Sequence, residues 1–342
     1  MVCKLTIWLI LLQTLCLSAQ NHPVAALFRN ETPLKLSLRF PFREIEKTTS
    51  DSTYFPSVLY YENDQQVTDS LTMSLRARGN FRRKHCFYMP LRLRFKKKDV
   101  AGSVFEGNKA LKLVLPCHTA ERFDDLITLE YICYKFYESV TPYVFSTRLV
   151  DITISDENKD PEKSDRVRGF LIEDDDLLAK RFNGKVIEQT NLHPLNFHDT
   201  STVNHDFFQY MIGNTDWSLS QHHNAKMIET SPRKFIPVAY DFDMSGFVNP
   251  PYATINPELE IDHLQERVYR GYCQDAGVMQ SVRSSYLKLE PEIWEQFRQY
   301  EADISPRTFE NRSRFLEEFF VVLKDDRSFT DKILKKCRKI KP

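Results

Sequence analysis

The sequence predicts an α+β protein, with an antiparallel sheet carrying one helix up to about residue 170 and a mostly helical part after it. Three observations predict this. Apolar and polar residues alternate through Leu71–Arg78 and Leu91–Phe95, the period of half-buried strands. The stretch Glu121 to Ser139 instead carries Leu126, Leu129, Ile132, Cys133 and Phe136 at helical spacing. Beyond Pro250-Pro251 the apolar spacing is helical through most of the remaining chain.

In chain order, Leu5 to Leu17 is an apolar run after Lys4 that ends in Ser18-Ala19-Gln20. It reads as a signal peptide over residues 1–19, cleaved near Ala19 and too short for a spanning anchor. Export to a periplasm, a cell surface or the medium is therefore expected, with no transmembrane anchor once the leader is gone. Leu34 to Arg43 and Ser57 to Tyr61 read as short strands, and Leu71–Arg78 with Leu91–Phe95 as a hairpin with a cationic exposed face. Ala110 to Leu115 adds another strand, placing Lys112 on the face opposite Leu111, Leu113 and Leu115. After the helix, Val144 to Ser155 is strand-like, a polar loop runs to Asp165, and Asp174 to Asn183 forms a short helix. Its Asp175 and Asp176 suit the positive end of the helix dipole.

A helix over Val203 to Ile212, with Phe207, Phe208, Met211 and Ile212 buried, leads into Asn214-Thr215-Asp216. A strand from Phe235 to Tyr240 runs into Asp241-Phe242-Asp243. Four helices are expected beyond it: Leu259 to Arg270, Gly277 to Leu289, Glu292 to Ile304 and Thr308 to Leu323. A basic tail-end helix, Lys332 to Lys341, closes the chain.

Composition narrows the function. The 47 basic residues balance 47 acidic ones, which excludes bulk nucleic-acid binding because that needs a basic footprint. Removing the leader leaves Cys86, Cys117, Cys133, Cys273 and Cys337, an odd set with no Cys-x-x-Cys pair. Neither a zinc site nor a disulfide framework is indicated, and isolated buried thiols are expected.

The chemistry concentrates between Ile212 and Val248. Asp241, Asp243 and Asn224 are the hard oxygen ligands that Mg²⁺ takes alongside substrate phosphates. Asp216 is a separate carboxylate suited to orienting an acceptor hydroxyl and taking its proton. Upstream, Arg78, Arg82, Arg83 and Lys84 cluster around Gly79-Asn80, where guanidinium and backbone N–H groups suit phosphates.

Protein kinases use the same order of parts, but there Asn follows the base Asp by five positions and Asp-Phe-Gly closes the set. Here Asn224 follows Asp216 by eight and Asp-Phe-Asp stands in its place, which disfavours an ordinary protein kinase. Asn214-Thr215-Asp216, Asn224 and Pro237-Val238-Ala239-Tyr240-Asp241-Phe242-Asp243 instead resemble the CotH-type atypical kinases, named for a spore coat protein. That family's pattern is Asn-x-Asp, a short loop, Asn, then Pro-x-x-[Tyr/Trp]-Asp-x-Asp. Arg78-Gly79-Asn80 is similar to its Arg-Gly-Asn/Ser loop, and Gly169-Phe170-Leu171-Ile172-Glu173 to its Gly-x-Tyr-x-x-Glu segment.

The resemblance covers roughly residues 70 to 250. It implies a two-lobed protein-kinase-like fold, with a β-rich nucleotide-binding lobe over 20–170, a helical catalytic lobe over 171–342, and ATP with Mg²⁺ between them. Asp216 would be the base, Asn224 and Asp241 would hold Mg²⁺, and Asp243 would assist or bind a second ion. Arg78, Gly79, Asn80 and Lys112 would meet the phosphates, Glu130 would orient Lys112, and the backbone near Ile172 and Glu173 would meet adenine. Arg92 or Arg94 could take the lysine's part. The acceptor is a protein or small-molecule hydroxyl, and transfer of AMP uses similar ligands. Two other classes stand beside this one: a catalytically inactive surface or envelope scaffold, and a metal-dependent hydrolase built from Asp and His193, His198, His205, His222 and His223. No His pair sits at metal-binding helical spacing to favour the hydrolase.

Overall fold

The computed structural model describes residues 23–340 apart from 49, 64, 80, 121, 161–162, 256 and 258. The leader over residues 1–19, Asn80, Glu121 and Lys341 lie outside the described residues.

Seven strands form the first layer: β1 (Leu34–Phe40), β2 (Phe55–Glu62), β3 (Thr68–Ala77), β4 (Leu91–Phe95), β5 (Ala110–Val114), β6 (Thr147–Asp156) and β7 (Ser164–Ile172). They pair in the order β1-β2-β3-β4-β5-β7-β6 and close into a barrel. The seam is the parallel pairing of β1 with β6, from Leu34 opposite Val150 to Phe40 opposite Asp156, while every other barrel pair is antiparallel. Closure leaves the sheet with no free edges. Leu36, Leu38, Leu59, Met73, Leu75, Leu91, Leu93, Leu111, Ile152 and Phe105 fill its interior.

The closed barrel overturns the expected two-lobed, protein-kinase-like arrangement. Alternation along a strand reports which face is buried and says nothing about which distant strand lies alongside. The β1–β6 seam, which joins residues more than a hundred positions apart, is invisible to periodicity.

The long helix also belongs elsewhere than expected. Two short helices, α1 (Phe42–Lys47) and α2 (Phe81–His85), precede α3 (Arg122–Val140). From Leu129 to Tyr137 every α3 residue is buried, because it packs on all sides. It lies against Phe170 and Ile172 of β7 and shares one core with α5 (Asp199–Met211), α6 (Ala276–Arg298) and α7 (Pro306–Lys324), so it is the centre of the helical layer. Before α5 comes α4 (Asp175–Arg181), capped by the Asp174 carboxylate, which accepts from Asp176 N. A small sheet, β8 (Lys185–Ile187), β9 (Ala225–Ser231) and β10 (Lys234–Ala239), completes the fold and delivers the Asp241 loop.

Several local expectations are corrected. Pro291 does not divide two helices but sits inside the continuous α6, where buried Val282, Tyr286, Ile293 and Phe297 override the local break. Leu259 to Arg270 is irregular, its polar groups met by contacts such as Arg267 to the carbonyls of Met211 and Phe315. The basic end leaves its short helical turn after Leu334, and Arg338 pairs with Tyr272. Four cysteines are not isolated thiols: Cys86 bonds Cys117 and Cys273 bonds Cys337, leaving Cys133 as the free thiol among the described residues. These partners are 31 and 64 positions apart, so only the fold brings them together. Among the described residues no helix is long and apolar enough to cross a membrane.

Gly169 has a steric reason at the barrel wall. A Cβ there would lie 2.6 Å from Val114 O, so β7 approaches β5 only because the side chain is absent. Gly169→Ala is expected to lower unfolding stability by about 2–3 kcal/mol through that clash. Chemical denaturation of both proteins checks it.

Candidate functional site

The two acidic segments meet through three backbone bonds: Tyr240 N donates to Asn224 O at 3.3 Å, Gly246 N to Gly213 O at 3.0 Å and Phe247 N to Ile212 O at 2.9 Å. Gly213, at φ 62°, ends α5 and turns the chain, and Asn214 Oδ1 accepts from Asp216 N at 2.9 Å in an Asx turn. Ser218 and His223 then exchange backbone bonds of 2.9 and 3.0 Å, closing the intervening residues into a small loop. That loop explains the eight-residue spacing: it brings Asn224 back beside Asp216. Asn224 Nδ2 donates to Asp216 O at 2.7 Å and to its Oδ2 at 3.0 Å. The amide nitrogen is thereby committed, and Oδ1 is the atom left to meet a cation.

The Asp-Phe-Asp turn is anchored by its middle residue. Phe242 is fully buried, with its ring 4.6 Å from Tyr134 and 5.2 Å from Phe208. Asp241 has φ 64°, and its N–H donates to Tyr134 Oη at 3.0 Å. Asn224 and His222 also have left-handed backbones, with φ of 47° and 52°. Asn, Asp and His tolerate that region best, and its clustering beside one cavity is characteristic of functional sites.

Asp216, Asn224, Asp241 and Asp243 all line one cavity of 270 Å³, together with Arg78, Gly79, Phe81, Arg82, His222, His223 and Tyr240. A larger cavity of 1120 Å³ lies between the barrel and the start of α3. Its charges largely neutralise one another, for example Arg168 with Asp151 and Asp303, so it carries no comparable concentration of chemistry.

Arg82 is the cation at the centre of the site. It is 7% exposed on α2, donates to Leu115 O, pairs with Glu130 at 3.4 Å, and sets its Nε 4.0 Å from Asp243. Among the described residues that Nε has no hydrogen-bond partner. Burial works against the guanidinium charge, yet Tyr252, Glu130, Asp243 and Asp241 hold its pKa above the usual value. Burial pushes Glu130 well above the carboxylate range, with Arg82 opposing. Burial and the neighbouring Asp241 raise Asp243 to about 7, again against Arg82.

Asp216 is the exposed member. Its side chain is 46% accessible and accepts at 2.9 Å from His223 Nε2, a bond that raises the histidine's pKa.

The structure does not bring every sequence-expected residue here. Lys112 pairs with Asp175 beneath the rings of Phe145 and Tyr240, and its expected partner Glu130 pairs with Arg82 instead. Burial lowers Lys112 to about 8, while Asp175, which burial alone would raise, is held down to about 2 by Lys112 and Lys226. Arg92 is bound to Asp174. Glu173 is fully buried, held by Arg181 and by Ser146 N, and does not line the cavity. The five histidines do not converge: His193 and His198 cap helices, His205 pairs with buried Asp206, and only His222 and His223 of the five reach the cavity.

Tyr134 and the Arg82–Glu130 contact were not singled out by sequence reasoning. One signal was present: Glu130 and Tyr134 are four residues apart on α3 and therefore share a face.

Hard oxygens and surplus negative charge fit Mg²⁺. Among the described residues no three His, Cys, Asp or Glu side chains group closely enough to hold a metal alone. A nucleotide site does not require that, because Mg²⁺ keeps phosphate and water ligands. No protein-family model matches the chain, and no curated protein matches it.

The Asp243 shift has a sign that can be measured. A carboxyl with a raised folded pKa binds its proton more tightly folded than unfolded, so its contribution is full below the unfolded pKa and is lost as pH rises through about 7. Metal-free protein is expected to lose stability from about pH 4 to about pH 7, and Asp243→Asn to flatten that slope. Thermal unfolding in a chelator across that range reads it directly.

Proposed function

We propose that the chain is an exported phosphotransferase that moves a phosphoryl group from Mg²⁺-bound ATP to a hydroxyl acceptor, with chemistry like that of the CotH-type kinases. The observation that carries this is the convergence of Asp216, Asn224, Asp241 and Asp243 with Arg78 and Arg82 on one cavity. The reading rests on that constellation and not on a kinase fold. At 270 Å³ the cavity is smaller than those enclosing whole drug-sized ligands, about 300–1,000 Å³, so it suits the polyphosphate end of the donor.

Asp241, Asn224 Oδ1 and Asp243 would hold the ion, which when bound neutralises the phosphates during transfer. Arg82, clamped by Leu115 O and Glu130, lines the same cavity with its Nε 4.0 Å from Asp243. Arg78 adds a second cation at the rim. Asp216 orients the acceptor hydroxyl and takes its proton. His223 and Asn224 each hold one of its carboxylate oxygens, which fixes the base while leaving lone pairs for the acceptor. Its exposure lets the acceptor arrive from solvent. Two disulfides suit an oxidising, extracytoplasmic location.

Transfer from γ-labelled ATP to a general acceptor protein, and to the chain itself, tests the reading. Asp216→Asn and Asp241→Asn should each reduce transfer at least about a hundredfold with unfolding curves unchanged. Undiminished transfer in either variant removes that residue's role. Mass spectrometry of the acceptor distinguishes added phosphate from added AMP.

A further inference from the structure

We infer that the Cys86–Cys117 disulfide is a positioning element of the phosphate cradle, so that polyphosphate binding at the cavity depends on the oxidised protein. The inference rests on the reading of this cavity as a donor-phosphate site.

Arg82 is buried beside Glu130 and Asp243 on a helix of only five residues. A helix so short has no stability of its own, and Arg82, Arg83 and Lys84 repel one another along it. What fixes it is the segment after β5. Leu115 O accepts from the Arg82 guanidinium, Cys117 O accepts from Phe87 N at 2.9 Å, and the disulfide joins Cys86 to Cys117 between those two contacts. Cys86 N in turn donates to Arg82 O at 2.9 Å. Disulfide, helix end and guanidinium thus form one closed clamp, four residues from the cation that faces Asp243.

Cys86 is only half-buried, so a dithiol can reach the bond. Its thiolate attacks one sulfur and releases the other, and its second thiol then resolves the mixed disulfide. Two electrons and two protons pass to Cys86 and Cys117, which become thiols, and the reductant leaves as its own cyclic disulfide. The clamp then depends on hydrogen bonds alone, and α2 can release Arg82 from the cavity.

Calorimetric titration of inorganic tripolyphosphate with Mg²⁺, before and after dithiothreitol, reads the effect. Reduction is expected to weaken binding about tenfold or more, the scale of one hydrogen bond to a charged group. Cys86→Ser/Cys117→Ser should bind as weakly as reduced protein and ignore the reductant, whereas Cys273→Ser/Cys337→Ser should keep the redox response. In Arg82→Lys, reduction should change affinity less than about twofold, because the disulfide acts through the residue removed. A redox response persisting in that variant, or equal affinity of oxidised and reduced wild-type protein, overturns the inference.

Hydrogen exchange over residues 82–87 gives a reading that needs no ligand: reduction should accelerate it while β3 and β4 stay protected. If the oxidised protein binds no tripolyphosphate, the donor-site reading fails, and exchange decides the positioning claim alone. Unchanged protection overturns it, and lost protection supports it.

Discussion

The buried guanidinium of Arg82 is the constraint on which the site depends. Three acidic groups, Glu130 from the long helix and Asp241 and Asp243 from the loop after β10, sit around one cation delivered by the β3–β4 connection. Burial pushes Glu130 and Asp243 toward their protonated forms, and the Arg82 charge is what opposes the shift. Removing one partner from such a group costs roughly 3–5 kcal/mol, more than the whole group returns over an apolar replacement. An arrangement so poorly justified by stability is the kind that persists for a ligand. The acidic groups fit a divalent cation, and the Arg82 guanidinium that lines the same cavity fits the anion that comes with it.

The rest of the fold holds these groups in register. Barrel closure through β1 and β6 fixes the ends of β3, β4 and β5, from which Arg78, Arg82 and the Leu115 carbonyl project. Helix α3 packs on the barrel wall and offers Glu130 to Arg82 and the Tyr134 hydroxyl to Asp241 N, so one element sets both the cation and the strained Asp241 backbone. Arg270 meets the carbonyls of Thr215 and Trp217, bracing the Asp216 loop from the segment that the second disulfide ties down. Covalent bonds therefore lie behind both halves of the site.

Local pattern made the strands, the long helix and the acidic loop legible, because each is written in neighbouring residues. Leu91–Phe95 reads as a strand and is one, and Asp241-Phe242-Asp243 follows a strand as expected. The closed barrel was not legible, since its seam joins segments distant in sequence. Its place on a strand points Lys112 at the nucleotide, but its partner Asp175 lies 63 positions on, and nothing near either residue announces the pair. In the sequence Arg82 is only one of four clustered cations; burial, which no periodicity reports for a residue in a five-residue helix, is what sets it apart.

The central claim is that Asp241, Asp243, Asn224 and Arg82 form one site for a divalent cation and a polyphosphate. Calorimetric titration of ATP into the oxidised protein, with and without Mg²⁺, tests it most directly. The account predicts binding that needs Mg²⁺ and is lost in Asp241→Asn. Binding of equal strength without the ion, or no binding in its presence, would contradict it.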